Sequence, residues 1–258
     1  MEKMIIIILI GMAWGSFLNV VIYRLPIGMS LLNNPPSSCP QCKKHIKPYD
    51  NVPILSYLIL RGKCRYCGAR IPVTYPMVEI LTPLIFVLLY LQHDLSLFFF
   101  ASCLFASGMI ALCFIDYYHQ VLPDHITLPG FALAFIYSFF RQDISWSQSL
   151  LGAAAGAGFL LAVYGVYYLI RKKEGLGMGD ITLMLMIGAF LGWKLTFFTL
   201  IAASMVGAVV GILIILLQKK DMQHALPFGT FLAPAALIAL LWGQKIVDAY
   251  LSLFQNGP

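Results

Sequence analysis

The sequence predicts an all-α polytopic membrane protein with a small cytoplasmic zinc-binding tetracysteine insert. Three observations carry this. The 258 residues are 60% hydrophobic and only 11% charged, against roughly 25% charged in a soluble domain. The mean hydropathy is +0.84. One long polar stretch interrupts the apolar runs, and it holds two Cys-x-x-Cys pairs. A crossing helix needs about 20 apolar residues, so the chain outside the insert has room for about eight transmembrane helices.

Span one covers about residues 4–23. No small-residue cleavage site follows it, so it reads as a retained span rather than a signal peptide. The expected organisation is a first transmembrane helix over 1–24, a cytoplasmic tetracysteine insert over 25–76, and a transmembrane core over 77–258. Within that core, apolar runs place spans at about 77–92, 97–115, 126–140 and 149–170, then 181–192, 195–217 and 228–247. Gly152, Gly156 and Gly158 in the fifth span are small residues of the kind that let helix backbones approach closely. Trp193 and Lys194 read as interfacial anchors.

The net charge of +6 reports topology rather than nucleic-acid binding. With alternating spans, thirteen of the 17 Lys and Arg residues fall on one side, eight of them from Arg24 to Arg70. The basic side is cytoplasmic by the positive-inside rule. The chain is therefore expected to cross its membrane many times with the basic side in the cytoplasm, and lipid is its surrounding partner.

Cys39, Cys42, Cys64 and Cys67 form two knuckles with 21 residues between the inner pair. That pattern suits a tetrahedral four-thiolate zinc site, structural because four thiolates close the coordination sphere. On the reducing side of the membrane a disulfide pair is disfavoured. Redox thiols or metal-free packing are the alternatives. His45 reads as a surface histidine rather than a ligand, and Cys103 and Cys113 as apolar fillers.

Carboxylates at the mouths of membrane helices are costly unless they have a role. Asp180 ends Gly175-Leu-Gly-Met-Gly-Asp180 and Asp116 ends Phe114-Ile-Asp116, each at the edge of an apolar segment. Glycines beside Asp180 give a permissive backbone. Two close carboxylates cannot both ionise, so such a pair holds one proton and activates water, as in aspartic proteases. A helix N-cap is the competing role for Asp180. Asp124 competes with Asp116 for the second role, but it follows Pro123 and reads as the cap of the fourth span. Glu79 stands at the entry of the second span, where it would position substrate or an arginine. Glu174 reads equally as an exposed acid. No phosphate loop, dinucleotide fingerprint or serine nucleophile set is present.

Taken together, these pieces resemble the type IV prepilin peptidases, the bifunctional leader peptidase and N-methyltransferase branch of the GxGD aspartic proteases. The resemblance rests on Gly15–Pro26, the two cysteine knuckles, Asp50–Tyr57, Arg61–Arg65 and Tyr75–Glu79. It continues through Phe114–Asp116 with Leu122–Asp124, Gly177–Asp180 and Leu226–Pro234. It implies Asp116 and Asp180 as the catalytic pair, at the cytoplasmic face. It also implies prepilins or pseudopilins with a basic leader as substrates, cut after a glycine, and N-methylation from S-adenosylmethionine. The residues that bind that cofactor stay unknown at this stage. Alternatives are a GxGD protease without methylation, or a transporter in which the aspartates relay protons.

Overall fold

The computed structural model describes residues 1–30, 37–172, 177–218 and 227–255. Glu174, Gly175 and Leu226, singled out above, lie outside the described residues. The described residues are helical, with two isolated β-bridges, Ser38 to His45 and Lys63 to Arg70. The chain divides into two compact units, residues 1–107 and 108–258, with the division inside one helix.

The first unit contains α1 (Glu2–Arg24), the short α2 (Leu55–Ile59), α3 (Thr74–His93) and the start of α4 (Leu97–His119). α1 packs on α3 through Gly11 and Gly15. A Cβ on Gly11 would lie 2.6 Å from the Pro83 Cα, and one on Gly15 would lie 3.0 Å from the Glu79 Cα. The two glycines are one helical turn apart, which lets two membrane backbones touch. Polar groups inside this unit pair up, as they must away from water. The Trp14 indole donates to Ser107 at 2.8 Å, and the Asn19 amide to the Tyr75 carbonyl at 3.0 Å.

The second unit contains the end of α4, α5 (Asp124–Tyr137), α6 (Trp146–Arg171), α7 (Met178–Gln218), α8 (Gly229–Ile238) and α9 (Gln244–Gln255). A π-helical turn, Ala239–Gly243, joins the last two. α6 lies against α7 at Gly152, where the backbones of Gly152 and Gly188 meet with no room for a Cβ on either. Gly156 rests on Met184 and Thr196, whereas Gly158 faces open space.

Among the described residues, six helices are long and apolar enough to cross a bilayer, with the kinked α7 counted once, against eight spans expected. The physical reasons are local. α5 has 14 residues, about 21 Å of helix against a hydrocarbon core of about 30 Å. The expected sixth and seventh spans are the two helical arms of α7, which meet at a kink at Gly192, whose φ of 73° and ψ of 168° are not helical.

The break at Gly192 has dedicated support. In the turn before it, the Ala189 carbonyl accepts the Ser149 hydroxyl at 2.7 Å, and the Phe190 carbonyl accepts the Arg141 guanidinium at 2.6 Å. The Arg141 side chain is 5% exposed and also forks onto Asp143. It stacks over Tyr137 and Phe190. Arg141→Ala removes a charge-assisted bond of roughly 1.5–3 kcal/mol. A lower thermal unfolding midpoint in detergent is the expected outcome, and an unchanged midpoint would show that the break does not need this prop.

Candidate active site and metal centre

Asp116 lies in the last turn of α4 and Asp180 in the first turn of α7. They are 4% and 7% exposed. The two acids meet at the N-terminus of α8. The Thr230 amide donates to Asp116 Oδ2 at 2.7 Å, and the Thr230 hydroxyl donates to the same oxygen at 3.1 Å. Asp180 meets the backbone amides of Gly229 and Gly177 and feels the charge of Asp116. The start of α8 therefore faces both carboxylates, with the Thr230 amide bonded to Asp116 and the Gly229 amide beside Asp180. A helix start suits this, because its first N–H groups have no partner within the helix and its dipole favours negative charge.

Glycines and one leucine set the spacing. A Cβ on Gly229 would lie 2.9 Å from Asp116 Oδ2 and 2.9 Å from Leu122 Cδ1. A Cβ on Gly179 would lie 2.7 Å from the Leu122 Cβ, and one on Gly177 would lie 3.3 Å from Asp180 Oδ2. Gly179 therefore serves close packing on Leu122, and Gly177 leaves room at the carboxylate. Gly229→Ala should push Asp116 off its amides. A displacement of about 1 Å at a reacting group costs roughly 10²-fold in rate. The measurement is the cleavage rate of the folded variant, and a native rate would rule out the tight fit.

The remaining acids stand elsewhere. Asp124 is the first residue of α5 rather than its cap, which is Pro123. It is exposed and accepts the Thr182 hydroxyl at 3.2 Å. Glu79 is buried in the first unit and accepts the Ile54 amide at 2.7 Å. Gly229 and Thr230 belong to a motif quoted above, yet nothing in that motif points to the carboxylates.

The four cysteines converge. Sγ atoms of Cys39, Cys42, Cys64 and Cys67 lie within 4.8 Å of one another, and His45 is not in the group. Cys39 Sγ and Cys67 Sγ are 3.8 Å apart. Zinc–sulfur bonds of about 2.3 Å give a tetrahedron with edges close to that distance, so the donor set fits zinc. The two knuckles share one template. In each, the first cysteine donates its amide to the carbonyl five residues on, and its carbonyl accepts from the residue four on. That fourth residue has positive φ, Gly68 at 69° and Lys43 at 58°. Glycine takes that conformation freely, whereas lysine pays a steric penalty.

The metal-free thiols are uneven. The Cys42 amide helps pull the Cys39 thiol down to about 7. The Ala69 amide favours the Cys67 thiolate, but burial and the neighbouring sulfurs push that thiol up to about 11. The two halves of the insert are also tied by Arg65, which forks onto Asp50. The guanidinium holds the Asp50 carboxyl below its ordinary range.

Comparison with known proteins agrees with these features. Residues 9–93 match the Bacterial Peptidase A24 N-terminal domain, and residues 103–212 match the Type IV leader peptidase family. A prepilin leader peptidase/N-methyltransferase of Pseudomonas putida is 36% identical, over 95% of this chain and 92% of the relative. Its namesake in Pseudomonas aeruginosa is 37% identical over the same shares. The Aeromonas hydrophila protein of that name is 37% identical over 96% of this chain and 94% of its own length. No solved structure matches. With four cysteines gathered in the first unit and two carboxylates at one helix start in the second, the chain belongs to the prepilin leader peptidase/N-methyltransferase family.

Proposed function

We propose that this chain is a multi-pass membrane aspartic endopeptidase that removes the basic leader of type IV prepilins or pseudopilins after a glycine. It then methylates the new N-terminal amine. The observation that carries the peptidase half is the pairing of Asp116 and Asp180 with adjacent amides of α8. Two carboxylates held this close share one proton. The ionised one takes a proton from water as the oxygen attacks the peptide carbonyl. The protonated one supports the oxyanion and then delivers its proton to the leaving amine. Peptide and water are consumed, and one acid and one amine are released.

Zinc is the metal proposed for Cys39, Cys42, Cys64 and Cys67. Bound there, it would cross-link the two halves of the insert without an open position for substrate. S-adenosylmethionine is proposed as the methyl donor, with its binding residues unassigned. The positive-inside rule applied to the basic loops supports an active face toward the cytoplasm of the bacterial inner membrane, where a basic leader would lie. The test is mass spectrometry of a prepilin incubated with the purified chain in detergent, with and without S-adenosylmethionine. Loss of the leader in both samples and one added methyl only with the cofactor is expected. Leader removal without methylation would leave a plain GxGD protease, and no cleavage would favour the transporter reading.

A further inference from the structure

Residues 52–59 carry an inference about where the insert lies relative to the bilayer. Glu79 is the sixth residue of the 20-residue α3. That helix is a rod of about 30 Å, which equals the thickness of the hydrocarbon core. Glu79 therefore sits about 7.5 Å from the end of the rod, at or inside the edge of the apolar layer. Its Oε2 accepts the Ile54 amide at 2.7 Å, so Ile54 is held at the same depth.

Ile54 is the centre of a γ-turn. Its φ is 63° and its ψ is −51°, and the Leu55 amide donates to the Pro53 carbonyl at 2.6 Å. This turn is rare and strained, and positive φ is an outlier for a β-branched residue. Such a turn persists where its surroundings over-determine it, and here the Glu79 carboxylate grips its amide. α2 starts at the next residue. Its Leu55, Leu58 and Ile59 lie on one face and are 58%, 65% and 73% exposed. Val52, on the other side of the turn, is 40% exposed. Ser56 and Tyr57 turn inward by comparison, and exposed Arg61 and Lys63 follow.

We propose that residues 52–59 form a foot that enters the lipid leaflet, with Leu55, Leu58 and Ile59 among the acyl chains and Arg61 and Lys63 at anionic headgroups. The depth set by Glu79 selects lipid over a protein partner, because an apolar face tethered there is already at the acyl boundary. The order of apolar side chains followed by basic ones matches an interfacial helix. The inference rests on α3 crossing the membrane and is independent of the peptidase chemistry.

The test places p-benzoylphenylalanine at Leu58 in the full chain, reconstituted in vesicles of phosphatidylethanolamine and phosphatidylglycerol. The same probe at Leu84, exposed on α3, marks the lipid-facing yield. Mass spectrometry after illumination should find phospholipid adducts at 58 within a few-fold of those at 84. Adducts at 84 with none at 58 would overturn the proposal. So would cross-links from 58 to a second copy of the chain, or to an added prepilin, in place of lipid. Should the probe at 58 open the insert to protease, the same probe at Leu55 decides by the same criteria.

Discussion

Asp116→Asn and Asp180→Asn should each reduce prepilin cleavage to background while the chain stays folded. Asparagine keeps the size of aspartate, and its carbonyl oxygen can still accept the amide of Gly229 or Thr230. What it loses is the capacity to take up and release a proton. Positioned acid–base groups contribute roughly 10²–10⁴-fold each, and in the proposed mechanism the pair works with a single proton. Removing either breaks the cycle, so the double variant should be no slower than the single ones, as for other residues that act as a unit. Leader removal is read by mass spectrometry and folding by thermal unfolding in detergent. Sustained cleavage by either single variant would remove that residue from the catalytic pair.

Cys64→Ser should strip the insert of zinc and of its fold. Among the described residues from 37 to 75, Cys39 is the one buried residue, so the insert has almost no apolar core to fall back on. Structural zinc supplies about 10–16 kcal/mol of apparent binding energy in small zinc-dependent units, more than any other contact there. The Asp50–Arg65 pair cannot replace it, since the Arg65 side chain is 44% exposed and solvent screens such a pair. Metal analysis should show zinc lost, and limited proteolysis should cut between residues 37 and 75 in the variant or after chelation. Acid should act in the same direction. Thiolates bind the metal and thiols do not, so falling pH protonates the ligands and releases zinc. Unchanged zinc content in the variant would refute the four-thiolate site.

Much of the site was legible because its chemistry sits in short motifs. Asp116 and Asp180 stood out as acids at the ends of apolar runs, and the cysteines by spacing alone. Gly229 and Thr230 were not legible as partners of those acids. Their contribution is backbone N–H, which every residue but proline carries, and only the folded position of α8 gives it meaning. The count of spans depends on folded geometry in the same way. Hydropathy locates apolar runs, but it does not see how Gly192 kinks the chain between two helical arms, or that α5 stops after 14 residues. The close approach of α1 and α3 at Gly11 and Gly15 also went unremarked, although its spacing was present in the sequence.

Because the start of a single helix faces both acids, the proposed catalytic pair would lose its backbone partners together if that helix moved. A shift of α8 along its axis, or a modest twist, would deprive Asp116 and Asp180 of their partners in one event. Perturbations of α8 from a distance should then behave as an on–off control of the active fraction, leaving the remaining competent molecules at full speed.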